Sequence, residues 1–269
     1  MKVNKFQHKL PKILLLSTVI TMSVSTTIFA QTAEIKGFDI LARSDRSDRG
    51  FEDSQVKLKM TLRNAAGSET TRSLVIKTLE IPDEDVGDKS IIKFVSPADI
   101  NGTVVLSHAK ILKADNQWIY LPSLKRIKRI STVNKSGPFV GSEFAFEDLT
   151  SSELNKYKYK WVGSETCGSL QCDIVERYPQ YEYSGYKRQL VWVDQEQYQI
   201  HKIEFYDRRG DLLKTLVMDE YRQYPGNILR AHHYTMNNHQ TGKSTELIYS
   251  DYKFKTGLKA KDFHKSSIR

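Results

Sequence analysis

The sequence predicts a mainly β protein, one meandering antiparallel sheet of about ten or eleven strands in a single domain spanning residues 31–269. Three observations predict it. From Gln55 the chain alternates with period two: Val56, Leu58, Met60 and Leu62 are apolar, and Lys57, Lys59, Thr61 and Arg63 lie between them. That is a strand with one buried and one wetted face. Gly-containing turn signals, at Asn64–Ser68, Asn101-Gly102, Arg208-Arg209-Gly210 and Gln240-Thr241-Gly242, recur between short runs of strand-forming residues. The chain of 269 residues shows no repeat, low-complexity tract or linker, so a second domain has no boundary to begin at.

Taken in order, residues 1–30 read as a signal peptide that is removed. Lys2, Lys5, Lys9 and Lys12 form a positive start, Ile13–Val24 is an apolar run, and Ala30 is a plausible last residue before cleavage. The run is shorter than the roughly 20 residues that span a bilayer. Its loss removes four Lys and no acids, taking the net charge from +9 to 9 − 4 = +5. A mildly basic exported protein suits anionic lipid or an acidic partner, and nucleic acid is not expected. Glu34–Ser44 is expected as a helix with a partial apolar face, weakened by Gly37. Strands follow at Gln55–Leu62, Thr70–Leu79, Ser90–Val95, Thr103–Leu112 and Gln117–Leu121. Beyond a central loop, Glu147–Leu154 is expected as a short helix. Further strands are expected at Lys156–Val162, Asp173–Tyr178, Lys187–Val193, Gln199–Tyr206, Asp211–Met218, Asn227–Thr235 and Ser244–Tyr252.

The stretch Gln117–Leu149 carries the most information. It opens as a strand through Trp118, Ile119 and Tyr120, and Pro122 ends the regular ladder. Lys125, Arg126, Lys128 and Arg129 then interleave with Ile127 and Ile130, and a loop containing Gly137, Pro138 and Gly141 presents Phe139, Phe144 and Phe146. Glu143, Glu147 and Asp148 close it.

W-I-Y-L-P-S-L-K-R-I-K-R-I-S followed by K-S-G-P-F-V-G-S-E-F-A-F-E-D-L resembles the signature of the outer-membrane lipoprotein-sorting protein family, a LolA/LolB-like group of periplasmic carriers. The similarity extends to F-V-S-P-A-D-I-N-G-T at Phe94–Thr103, V-W-V-D at Val191–Asp194, and Asp262-Phe263. The resemblance implies an open antiparallel β half-barrel with helices covering its concave side, and a soluble protein of the periplasm. It also implies a cargo, a lipid or acylated lipoprotein, carried across the envelope toward the outer membrane with an inner-membrane RND/MMPL-type transporter as partner. The alternative within that reading is an accessory subunit that binds such a transporter without carrying anything.

On a carrier, Met60, Leu62, Phe94, Leu106, Trp118 and Tyr120 are the candidates for lining the lipid cavity. Gly137, Phe139, Gly141, Phe144 and Phe146 are the candidates for a movable lid, latched by Glu143, Glu147 or Asp148 to Arg126 or Arg129. The ridge Lys125, Arg126, Lys128 and Arg129 is a candidate docking surface for anionic headgroups or an acidic partner. The plainer reading of the same four charges is an edge that resists pairing with other chains.

Other chemistries are opposed. G-x-S-x-G, H-E-x-x-H and phosphate-cradling Gly loops are missing, so no enzyme and no cofactor are expected. His232 and His233 would point to opposite faces of a strand, and His239 would sit roughly 20 Å from His233, so no metal is expected. An outer-membrane barrel is opposed by Lys57, Lys59 and Arg63, which would face lipid. Cys167 and Cys172 form an even, close pair in an exported chain, which reads as a disulfide of modest value, roughly 2 kcal/mol.

Overall fold

The computed structural model describes residues 1, 20–83, 86–111, 113–150 and 153–269. Most of the expected signal peptide, including its positive start, lies outside the described residues. The chain enters through helix α1, Ile20–Ser47. None of the described helices is long and apolar enough to cross a membrane.

The first group of strands is β1 Asp53–Arg63, β2 Glu69–Leu79, β3 Val86–Ser96, β4 Val104–Lys110, β5 Asn116–Leu121 and β6 Arg126–Ile130. The second is β7 Tyr157–Cys167, β8 Leu170–Pro179, β9 Tyr186–Asp194, β10 Ile200–Asp207, β11 Leu212–Asp219, β12 Arg222–Tyr224, β13 Ile228–Arg230, β14 His233–Asn238 and β15 Ser244–Phe254. Thirteen of them make one sheet in the order β6-β5-β4-β3-β2-β1-β15-β14-β11-β10-β9-β8-β7, while β12 and β13 form a separate ribbon. Every pairing is antiparallel. The sheet is an open half-barrel, and the strand count exceeds the expected ten or eleven: the expected strand Asn227–Thr235 divides into β13 and β14, β13 pairs with the short β12, and the central stretch supplies another strand. Arg126–Ile130, which reads as a charged ridge, completes a hairpin with β5 instead, because Leu121 pairs with Arg126 across a left-handed Lys125 (φ 48°).

The order of the strands explains the central stretch. β1 to β6 step outward to one edge. The chain then crosses to the opposite edge, where β7 begins, and β7 to β15 step back until β15 pairs with β1. Residues 131–150 and 153–156 belong to that crossing, a strap over the concave face. The strap holds short 3-10 turns at Thr132–Ser136, Phe139–Gly141, Phe146–Leu149 and Leu154–Lys156. The expected helix over Glu147–Leu154 is replaced by the last two of these. The first of them is capped by Asp148, which accepts from the Ala145 N–H and also reaches the sheet.

Two apolar clusters lie on the two faces. The concave one contains Leu58, Met60, Leu74, Ile92, Phe94, Val105, Phe139, Phe144 and Tyr159, with Ile40 and Leu41 of α1. The other contains Val104, Leu106, Phe263 and Ile268, with Trp118, Tyr120 and Ile127 packed on it. There the C-terminal turns Ala260–Phe263 and Lys265–Ile268 cover β3–β5, and His108 Nε2 contacts the Phe263 carbonyl at 2.8 Å. Helix α1 closes against β7 through Gly37, where an added Cβ would stand 2.7 Å from the Trp161 backbone nitrogen. Gly37, a weakness by helix propensity, is therefore the point that allows helix and strand to touch. The Cys167–Cys172 disulfide closes the β7–β8 hairpin with a Cα–Cα distance of 5.9 Å.

Candidate functional site

The strap divides the concave face into two regions. On the strap side lies a small cavity of about 90 Å³ walled by Lys135, Glu147, Asp148, Lys156, Arg177, Tyr181 and Tyr186 over a floor of Ile203, Phe205 and Leu216. Its charges are tied together. Lys214 Nζ lies 2.6 Å from Asp148 Oδ2, and both side chains are about 95% buried. The same Asp148 accepts from the Tyr186 hydroxyl at 2.7 Å. Lys156 bonds Asp115 in an equally buried pair, and Lys135 donates to the Asp115 carbonyl. Glu147 accepts from the Tyr181 and Ser184 hydroxyls and the Gly185 N–H at 2.8–2.9 Å. Burial, with Asp148 beside it, still lifts the Glu147 carboxyl above its ordinary range.

The strap tip is held as firmly. Phe139 stacks on Phe94 at 5.6 Å and meets Phe146 edge-on at 5.5 Å. Such pairs contribute about 0.5–1.5 kcal/mol each beyond burial. Arg72 donates to the Val140 carbonyl, Lys214 to the Glu143 carbonyl, Gln117 to the Phe146 carbonyl and Asn238 to Glu143 Oε2. Gly141, at φ 79°, needs its glycine, whereas Gly137 has ordinary extended backbone, φ −75°. The expected latch to Arg126 or Arg129 does not form. Glu143, Glu147 and Asp148 are engaged by β8–β9, β11 and β14, on the other half of the sheet, and Arg129 donates to Asn116.

On the helix side, two larger cavities of about 330 and 230 Å³ share Asp48, Phe51, Asp88, Arg230 and Tyr234. The first is lined further by Val56, Ile76, Ile92, Leu149, Tyr249 and Tyr252. The second runs beneath α1 past Leu41, Tyr159, Ile200, Met218 and Tyr221. An aromatic row forms one wall, Tyr234 to Tyr249 at 4.8 Å and Tyr249 to Tyr252 at 6.0 Å, and continues beyond the lining to Phe254, 5.6 Å from Tyr252. Strict alternation would turn Tyr252 away from Tyr249. A bulge between the β1 pairings at Gln55 and Lys57, with Asp251 at φ 54°, brings it back. Arg230 bonds Asp48 and lies over the Phe51 ring, 5.1 Å from its centroid.

The six expected cavity residues are not brought together. Met60 and Phe94 are buried in the concave cluster, with Leu62 against it. Leu106, Trp118 and Tyr120 belong to the opposite face, because Ile119 and Val105 occupy the concave positions of β5 and β4. Of the lid residues, Phe139 and Phe144 are 1% and 4% exposed. The four ridge cations are exposed, and none enters an ion pair among the described residues. Alternation along β6 separates Arg129 from Arg126 and Lys128. The residues that line the larger cavities, Asp48, Phe51, Asp88, Arg230, Tyr234, Tyr249 and Tyr252, went unmarked. Their signal was the spacing of tyrosines in H-H-Y-T-M and I-Y-S-D-Y-K-F, legible only with the bulge.

Asp219, Glu220 and His233 present ligand atoms within 4.8 Å of one another. Both His233 nitrogens are already bonded, at 2.9 Å, to Asp219 and Glu246. Burial opposes its charge, but these carboxylates outweigh it and raise its pKa, so an ion pair accounts for the arrangement.

A family model described only as that of an uncharacterized protein matches residues 87–269. No curated protein matches the chain. Among solved structures, an outer membrane lipoprotein-sorting protein domain from Vibrio parahaemolyticus is 46% identical, covering 87% of this chain and 99% of its own, with a TM-score of 0.84. A DUF1329 family protein from Desulfovibrio piger is 26% identical over 88% of this chain and 99% of its own, with a TM-score of 0.83. A LolA superfamily protein from Nitrosomonas europaea shares the fold at 22% identity and a TM-score of 0.68, covering 85% of this chain and 97% of its own. The identity and coverage of the first of these place the chain in the outer membrane lipoprotein-sorting protein family.

Proposed function

We propose that this protein is a soluble periplasmic carrier, exported by residues 1–30, that takes a lipid or acylated lipoprotein into its concave side and moves it toward the outer membrane. The observation that carries the reading is the pair of helix-side cavities, about 330 and 230 Å³, which share five lining residues and keep apolar walls. Burying acyl chain there is worth about 0.8 kcal/mol per CH2, so even half of a C16 chain contributes about 6 kcal/mol. A carrier must release what it binds, and a site that holds part of a chain releases more readily than one that holds all of it.

In this reading the strap tip, Gly137–Phe146, is the cover of the concave face, and its opening requires release of the Lys214–Asp148 pair. The exposed cations Lys125, Arg126, Lys128 and Arg129 dock anionic headgroups or an RND/MMPL-type transporter, and reversing them should weaken binding to anionic vesicles at low salt. Native mass spectrometry of protein purified without detergent is the test. Lipid adducts are expected. The firm anchoring of the strap is the one observation that favours a transporter accessory subunit instead, and protein that is lipid-free and takes up no lipid would establish that alternative.

A further inference from the structure

The larger helix-side cavity holds more than apolar wall. Tyr234, Tyr249 and Tyr252 all line it. Elsewhere buried phenols find partners: Tyr159 donates to the Leu154 carbonyl, Tyr186 to Asp148, and Tyr221 to the Ile200 carbonyl. The hydroxyls of Tyr234, Tyr249 and Tyr252 have no hydrogen-bond partner among the described residues. The three residues are half-buried, so their hydroxyls open onto the cavity and no described protein group takes them up. Three at one wall of one cavity are donors kept for something that enters it. Burial raises all three above the ordinary phenol range, Tyr234 to about 12, with neighbouring phenols contributing for Tyr249 and Tyr252. They therefore stay protonated at any physiological pH and can donate.

The charges around them limit what they can donate to. The cavity also carries Asp48, Asp88, Asp148, Lys89 and Arg230. Asp148 is held by Lys214 and Arg230 by Asp48. Asp88 accepts from the Ile81 N–H but has no ion-pair partner among the described residues. A carboxylate entering here meets Asp48 and Asp88 with Arg230 already taken, and only Lys89, in no ion pair among the described residues, is left to receive it. A neutral acceptor meets no such opposition. At about 330 Å³ the cavity is at the low end for a small-ligand site, roughly 300–1,000 Å³, which suits part of one chain and its linkage.

Resting on the carrier reading, the geometry points to Tyr234, Tyr249 and Tyr252 as a hydrogen-bonding strip for the ester or amide carbonyl of a neutral acyl lipid. The cavity selects an acyl linkage over both a free fatty acid and a bare hydrocarbon chain. The aromatic faces contact the methylenes while the hydroxyls reach the carbonyl at the chain's root.

The test uses delipidated full-length mature protein and an apolar fluorescent reporter, N-phenyl-1-naphthylamine. Three ligands with the same C18 chain compete with it: monoolein, its glyceryl ether analogue without the carbonyl, and oleate. Monoolein should displace the reporter at about tenfold lower concentration than either competitor at pH 7.5, the size of one or two neutral hydrogen bonds. The triple variant Tyr234→Phe/Tyr249→Phe/Tyr252→Phe should lose the preference for monoolein over the ether, the two ligands being compared against the reporter's affinity for the variant itself. Reporter bound by wild type with ether or oleate equal to monoolein overturns this inference alone, as does a triple variant that keeps the preference. Failure of the wild-type protein to bind reporter and all three ligands overturns the carrier reading, and this inference with it.

Discussion

The two sides of the concave face are finished differently. On the strap side, Asp148 receives Lys214, the Tyr186 hydroxyl and the Ala145 N–H, Asp115 holds Lys156, and Glu147 takes three donors. On the helix side, cavities of about 330 and 230 Å³ remain, with three tyrosine hydroxyls unpartnered among the described residues. Half of a half-barrel is thus closed with its own polar groups, and half is left with apolar space and spare donors. A buried polar network is costly to disturb because each member satisfies another, so it suits the part that must keep its shape. On the proposed carrier reading, ligand capacity lies where satisfaction is incomplete.

The largest effect should come from breaking the closed side. Lys214→Met removes one partner of a buried ion pair and leaves Asp148 buried without its cation. Such a change costs about 3–5 kcal/mol, although the Ala145 N–H and the Tyr186 hydroxyl stay to soften it. Urea unfolding at pH 7 should show that loss. A change below about 1 kcal/mol would mean that the strap is not held from this point, and the contrast between the two sides would weaken.

Next is the helix that roofs the open side. Gly37→Val places side-chain carbon within 2.7 Å of the Trp161 nitrogen and 2.9 Å of the Lys160 carbonyl carbon. Backbone cannot yield as a flexible side chain can, so α1 must lift from β7, at a cost of about 1–3 kcal/mol. The melting temperature should fall and reporter binding in the helix-side cavity should change with it, while Lys214→Met lowers stability without that signature. Identical reporter binding in Gly37→Val and wild type would show that α1 does not shape the cavity.

How much of this could be read from the residues varies by feature. The meander was legible because Val56-Leu58-Met60 alternates and Asn-Gly and Gly turns punctuate it. The central motif pointed to the half-barrel through its resemblance. What failed was facing. Leu106, Trp118 and Tyr120 look like the same apolar strand stock as Met60 and Phe94, yet β4 and β5 present them to the side covered by Phe263 and Ile268. A strand's alternation states that two faces exist but not which is concave. The strap's anchors were hidden for another reason: Lys214 and Tyr186 lie 66 and 38 residues from Asp148. The tyrosine wall depended on a bulge at Asp251, which no local pattern announces.

A smaller effect probes the charge on the open side. Burial, with Glu153 and Glu80 nearby and Arg49 opposing them, lifts Asp88 from 3.8 to about 6. A carboxyl whose folded pKa is raised favours the folded state in its protonated form. That contribution is complete below about pH 4 and lost as pH rises through about 6. The full shift would correspond to about 3 kcal/mol, and partial solvent access reduces it to ~1 kcal/mol. Asp88→Asn should therefore exceed wild type in stability by ~1 kcal/mol at pH 8 and show no advantage at pH 4, read from urea midpoints. An equal gain at both pH values would assign the effect to packing and not to the buried charge.

The smallest expected energy, and the sharpest test of the contrast, concerns motion in the strap. If Gly137–Phe146 is the cover of the concave face, loading must disturb it, even though Phe139 and Phe144 are buried and Arg72, Lys214, Gln117 and Asn238 all hold it. Local opening reaches exchange long before global unfolding does, and loops fixed by fewer backbone bonds open first. Amide hydrogen exchange should then change over Gly137–Phe146 when monoolein is added to delipidated protein, while Val56–Leu62, paired on both sides by β2 and β15, stays constant. Tyr249–Phe254, whose Tyr249 and Tyr252 line the cavity, should gain protection in either case. A strap whose exchange is the same with and without lipid, beside a Tyr249–Phe254 segment that responds, would make the strap a fixed floor. Cargo would then enter from the α1 side alone, past Asp48 and Arg230, and the polar network beneath the strap would be the wall against which the chain comes to rest.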